Sequence, residues 1–184
     1  MENIDTKNED YSQVSLETKD LIIKKAVQED WHDLYENLWC HAESAKYMLW
    51  NVTISKEDAI SRMERTIEFE KKEKYALIVY EKSTGHAIGF AGMREIEPDV
   101  YEDMGIALGP HYMRKGYGKQ ILNALVEEAF CNCKAKKFVA SCRTGNLASH
   151  SLQISCGFQF SHNEERIDSR TGEKYLLEFF VKQI

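Results

Sequence analysis

Residues 105–122, GIALGPHYMRKGYGKQIL, run from an apolar strand pattern through a glycine-containing turn into an amphipathic helix pattern. The first turn of a helix has backbone N–H groups without intrahelical partners, and with the macrodipole they form an anion site suited to a pyrophosphate. Gly116 and Gly118 let that backbone approach phosphate closely, Tyr117 lies between them, and Arg114, Lys115 and Lys119 add positive charge at the rim. The sequence has no GxxxxGK[ST] and no GxGxxG after its first strand, so neither a P-loop nor a Rossmann turn accounts for the site. Ser149-His150-Ser151 does not make a hydrolase. Adjacent helical residues diverge, and no GxSxG elbow exists. Cys131 and Cys133 fall two apart on a helix and point in different directions, so no metal site is expected. Cys142 and Cys156 read as small buried residues rather than nucleophiles.

These groups must be positioned by a fold that 184 residues can supply as one ordinary domain. Hydrophobic residues make up 43% and charged residues 29%, which are globular values, and no apolar run approaches the roughly 18 residues of a membrane span. Five cysteines in irregular spacing suit a reducing compartment, and the acidic, polar start lacks the pattern of a secretory signal, so a cytoplasmic protein is expected. The net charge of −6 argues against a nucleic-acid binder.

Residues 1–19 lack periodicity and read as a flexible tail, with the fold occupying 20–184. The patterns predict a strand over 21–26, a helix over 29–38, a turn region over 41–53 and a helix from 56 to about 73. Ser55 caps the second helix, with Ile60, Met63, Ile67 and Glu70 or Lys71 at helical spacing. Strands follow over 75–80 and 87–96, joined by the Lys82–Gly85 turn, then a strand over 101–108 and a helix over 116–135. Strand 137–142, helix 146–156 and strands 158–161 and 175–181 complete a mixed α/β order.

The strand-Gly-x-Gly-helix segment, followed by Asn146-Leu-Ala-Ser149 and by Gly157-Phe158 eleven residues after the Asn, resembles the GNAT acetyltransferase family. The resemblance spans about 21–181, and Tyr47-Met48-Leu49-Trp50 before the second helix resembles the RimJ/RimL-like branch. It implies a central, mostly antiparallel twisted sheet of six to seven strands, flanked by about four helices. A V-shaped cleft between strands 104–108 and 138–142 would split that sheet. Acetyl-CoA would lie in the V as cosubstrate, with no metal. Its pyrophosphate would meet the backbone of 114–119, and its pantetheine arm the strand edge at Ile106, Ala107 and Leu108, with Asn146 and Ser149 alongside. Asn146 also reads as an N-cap. Met113 stands where relatives often carry Arg or Gln.

The implied reaction is acetylation of a primary amine, a protein N-terminus or a small molecule, in a ternary complex. A protonated amine has no lone pair, so a base must take its proton. Asp103 is the first candidate, because period-two alternation sets it on one face with Gly105 and Ala107. Glu102, on the other face, is second unless a bulge re-aims the strand. Backbone near 106–108 would bind the developing oxyanion. Gln153 replaces a Tyr that many relatives use as acid, which leaves Ser149, Ser151, water or no acid. Trp39, His41, Tyr47, Trp50 and the 166–174 turn are candidate acceptor contacts. A non-catalytic CoA-binding sensor is the alternative function. The resemblance leaves a homodimer through edge strands or final helices open.

Overall fold

The computed structural model describes residues 10–184. Eight strands form one sheet in the order β1-β2-β3-β4-β5-β6-β8-β7. They are β1 Ser15–Glu17, β2 Leu21–Lys24, β3 Tyr75–Glu81, β4 Ala87–Glu97, β5 Val100–Leu108, β6 Lys137–Arg143, β7 Gln159–Ile167 and β8 Lys174–Gln183. Every neighbouring pair is antiparallel except β5 with β6. The sheet therefore has one or two strands more than expected. The additional one is β1, which pairs with β2 inside the stretch read as a tail. Thr18 Oγ1 donates to Gln120 Oε1 at 2.7 Å, tying this end of the chain to the site-bearing helix. Residues 1–9 of the expected tail lie outside the described residues. β7 is also longer than expected, because its exposed run SHNEERI has no buried alternation to announce a strand.

The helices are α1 Asp30–Leu34, continued by a π-helical turn over Tyr35–Trp39, α2 Ala42–Ala45, α3 Lys56–Glu70, α4 Tyr117–Glu127 and α5 Leu147–Ser155. A second π-helical turn, Glu128–Asn132, ends the α4 run. The short α2 falls in the region expected to be turn. Ser55 caps α3 as its spacing predicts, its side chain accepting from Asp58 N at 3.1 Å. The buried stripe of α3 runs through Ala59, Met63 and Glu70, whereas Ile60 is exposed.

β3 is buried along its whole length because helices cover both of its faces. Tyr75, Leu77 and Val79 join a core with α4 residues Ile121, Leu122 and Leu125. Ile78 and Tyr80 join a second core with Leu34, Trp39 and Met63 from α1, its π-helical extension and α3. α4 and α5 thus lie on one face of the sheet and α1–α3 on the other, and the site must be built across both.

Candidate active site

β5 and β6 pair in parallel only through Val100–Lys137, Tyr101–Phe138 and Glu102–Val139. Beyond that point they separate, although β5 still pairs with β4 to Leu108 and β6 with β8 to Arg143. The inner edges at 103–108 and 140–143 therefore carry backbone N–H and C=O groups without a strand partner, and such groups need an acceptor or donor from elsewhere. An extended amide-bearing chain can add to an edge of this kind.

At the apex of the V sits Asp103. Its Oδ1 accepts from Gly105 N at 2.7 Å and its Oδ2 from Ser141 N at 3.3 Å, so one carboxylate serves both separating strands. Burial pushes its pKa up to about 6, assisted by the nearby Glu102, and the two N–H donors oppose that shift. A carboxyl poised there is half-ionised near pH 6, mostly ionised at neutrality, and can exchange a proton.

Simple alternation misplaces Asp103. Between Met93–Asp103 and Ala91–Ile106 the ladder advances two residues on β4 and three on β5, so β5 carries a bulge with Gly105 at φ +96°. The bulge reverses the phase of the strand. Tyr101 before it and Ile106 and Leu108 after it all pack toward α4, whereas Ala107 packs toward α1 and α3. Asp103 therefore shares its face with Ile106 and Leu108, not with Ala107. Glu102 is on the opposite face, where Arg94 Nη2 donates to it at 3.4 Å across the ladder. Met48 from the segment after α2 reaches over the bulge, 3.4 Å from where a Cβ on Gly105 would stand.

The turn from β5 into α4 has the backbone form that an anion site requires. Arg114 has φ +61° and Gly116, the residue before the first turn of α4, has φ +78°. Left-handed residues on either side of Lys115 curl the backbone N–H groups into a concavity at the helix N-terminus. A Cβ on Gly116 would meet nothing within 4 Å, so glycine is needed there for its backbone angle and not for space. Gly116→Ala is expected to lower stability by about 1–2 kcal/mol through that angle alone, read by urea denaturation; an unchanged midpoint would show that the turn relaxes. Gly118 has a packing reason: its missing Cβ faces Leu152 of α5 at 3.3 Å. Tyr117 is buried and donates to Glu81 at 2.7 Å, which leaves only its backbone for the turn. Lys115 Nζ reaches the same Glu81 at 3.4 Å, so of the three rim cations Arg114 and Lys119 are exposed without such a partner among the described residues.

Across the V, Asn146 caps α5, its side chain accepting from Ser149 N at 3.3 Å. Its amide nitrogen is left to donate. Ser149 Oγ accepts from Gln153 Nε2 at 3.4 Å, and Gln153 is itself buried with Oε1 unpartnered among the described residues. One residue the sequence did not single out stands beside this wall. Glu178 of β8 accepts from His150 at 2.9 Å and lies 3.7 Å from Cys142 Sγ. Only the pairing of β8 with β6 brings Glu178 to Cys142, so no linear spacing could have revealed it.

The four expected acceptor contacts divide. Trp39 and Trp50 line one cavity of about 640 Å³ between α3 and the sheet, which also touches Met104 and Gly92 beside the bulge. His41 instead hydrogen-bonds Glu36 O at 2.8 Å and meets His111 edge to face. Tyr47 donates to Gly145 O at 3.0 Å, bridging to the loop before α5. In the turn between β7 and β8, Arg170 donates to Trp50 O at 2.7 Å, and Arg143 and Arg170 both hold the buried Asp168, which keeps its carboxyl far below the usual range. Among the described residues no group of three or more His, Cys, Asp or Glu could hold a metal ion. No described helix is long and apolar enough to cross a membrane.

Residues 20–159 match the family model described as an acetyltransferase (GNAT) domain. The chain is similar to the N-acetyltransferase YnaD of Bacillus subtilis, 25% identical over 144 residues that cover 77% of this chain and 81% of that protein. The fold is shared with the microcin C7 self-immunity acetyltransferase MccE, solved with acetyl-CoA and AMP, at TM-score 0.76, 20% identity and coverage of 91% and 94%. It is shared too with the Salmonella typhimurium acetyltransferase that modifies the N-terminal serine of ribosomal protein L7/L12, at TM-score 0.73, 17% identity and coverage of 91% and 96%.

Proposed function

Because the chain belongs to the GNAT acetyltransferase family, we propose that it transfers the acetyl group of acetyl-CoA to the primary amine of a small molecule or a protein N-terminus, in the manner of the RimJ/RimL-like branch. The observation that carries this reading is the unzipped edge between β5 and β6, with a carboxylate at its apex and a helix N-terminus at its mouth.

The residues fit the cosubstrate. The N–H groups of 114–119 would hold its pyrophosphate, the edge at Ile106–Leu108 its amide-bearing arm, and Asn146 would donate to that arm. When bound it supplies an acyl thioester, an electrophile that an uncharged amine can attack. Asp103 takes the proton that the amine must lose, with its carboxylate held in place by two backbone donors. A backbone N–H of the 106–108 edge would polarise the acyl oxygen. Gln153 is turned into the protein, so the Ser149 hydroxyl is the side chain nearest the role of proton donor at the far end.

The roles named for MccE and for the L7/L12 enzyme support the two acceptor classes kept here, since one acts in self-immunity to a microcin and the other on a protein N-terminus. The test is a thermal-shift titration with acetyl-CoA, CoA, ATP and NAD. Saturating acetyl-CoA at 100 times its Kd should stabilise the native state by about 2.7 kcal/mol, whereas ATP and NAD leave Tm unchanged. No rise with any CoA species would sink the reading. A rise with CoA but no acetylation across a broad amine panel would favour a CoA sensor.

A further inference from the structure

The cavity between α3 and the sheet contains a cation that the protein does not neutralise. Arg62, half-buried in the second turn of α3, lies between two indole rings, its guanidinium carbon 4.6 Å from the Trp39 ring centre and 4.5 Å from that of Trp50. Its Nη1 donates to Thr53 Oγ1 at 3.0 Å and to Asn51 O at 3.4 Å, both uncharged. Arg94, Arg143, Arg166 and Arg170 each have a carboxylate within 4.0 Å, and Arg143 and Arg170 share a buried one. Arg62 has none among the described residues.

Its electrostatic surroundings are unfavourable to a lone cation. Burial, with a smaller contribution from Arg65 one turn along the same helix and on the same cavity wall, lowers its pKa to about 10. Glu70 also lines the cavity, but its carboxylate accepts from Ala26 N at 2.8 Å and burial raises its pKa to about 7. Asp58 lines the cavity without pairing with Arg62. A second donor is unused as well: Trp50 Nε1 is buried and has no acceptor among the described residues. Removing a guanidinium from water without an anion is unfavourable, and arginine's flat fork matches carboxylates and phosphates.

Resting on the acetyltransferase reading above, we propose that this cavity selects the acceptor by an anionic group, a carboxylate or a phosphate ester, bound by Arg62 with Arg65 at the rim. The acceptor is then a small amine carrying that group on an aromatic or aliphatic body. The walls suit such a body: Phe69 and Phe90 face the cavity, and Met104 joins it to the β5 bulge where the acyl group would be presented. Its volume, about 640 Å³, is that of a small-metabolite site. The Arg170 bond to Trp50 O pins the Trp50 wall to the β7–β8 turn, so the site is preformed.

The test uses the full chain saturated with CoA and titrated by calorimetry with phenylacetate, phenyl phosphate and the neutral phenylacetamide. At least one of the two anions should bind ten-fold or more tightly than the amide, and the better of the two tells a carboxylate from a phosphate. Arg62→Gln should remove that preference, Arg62→Lys should keep part of it, and Arg65→Gln, an exposed change that spares the fold, should weaken anion binding several-fold. Equal binding of anions and amide, or no binding of any, overturns the proposal. So does an Arg62→Gln protein in which all three weaken alike, because Arg62 is then a wall residue stacked between indoles. Failure of CoA itself to bind would strike the acetyltransferase reading instead and is scored before the probes are added.

Discussion

Asp103→Asn is expected to lower kcat about 10²–10⁴-fold, the range for loss of a positioned general base, with little change in the affinity for acetyl-CoA. In the native protein the rate should rise with pH through about 6 and then level, because only the ionised carboxyl accepts a proton. The variant should lack that inflection. Stability responds with the opposite sign. The pKa of Asp103 in the folded protein, about 6, lies above the ordinary 3.8, so folding favours the protonated form. The stability this contributes is present below about pH 4 and is lost as pH rises through 6, a cost of at most about 3 kcal/mol at neutrality. Asparagine removes that cost, but it offers one oxygen to two N–H donors and turns its own NH₂ toward the other. The two changes oppose each other, so denaturation at pH 7 should show a midpoint near the native one, and the variant should lose its pH dependence between 4 and 6. A variant with native kcat would assign Asp103 to capping the separated strands alone.

Gly89→Ala is expected to be strongly destabilising, at about 3 kcal/mol or more, beyond the usual range for overpacking. A Cβ at Gly89 would lie 2.2 Å from the carbonyl oxygen of Ala107 and 3.2 Å from its carbon. Those are backbone atoms of β5, which cannot swing aside as a side chain would. To make room, β5 must move away from β4 and into the V, so acetyl-CoA binding should weaken together with stability. For a chain of this length, 3 kcal/mol corresponds to a fall in Tm of roughly 6–12 °C. Gly85→Ala is the control. Nothing lies within 4 Å of its Cβ position, and its φ of +76° costs only local strain, so its loss should be a fraction of that at Gly89. Equal losses in the two variants would mean that the β4–β5 contact is more compliant than its spacing implies.

How far the sequence could be read depended on whether a signal was local. The caps at Ser55 and Asn146 were legible, because a side chain that accepts from an N–H three residues ahead depends on local geometry. The buried β3 was legible from its continuous apolar run, and the turn into α4 from its glycines. β1 and most of β7 were not, since short or polar edge strands are held by their neighbours rather than by their own composition. His41 and Tyr47 were grouped with Trp39 and Trp50 by their expected place between the first helices and the final hairpin, but their side chains bond to the carbonyls of Glu36 and Gly145, and only the two tryptophans line the cavity.

The sequence by itself determined the family, the glycine-containing turn into α4 and the residue types on hand for acid–base work, since each rests on spacing along a few turns of chain. Only the tertiary structure decided what Asp103 faces, because a single extra residue in β5 reverses the side on which every later side chain falls. It alone placed Ser141 N–H under that carboxylate, Glu178 beside Cys142, and Arg62 between two indoles with no counter-ion. Those contacts join residues tens of positions apart or depend on how a loop folds back onto a helix. Their energies come from desolvation and pairing at the meeting point, which a linear pattern does not encode.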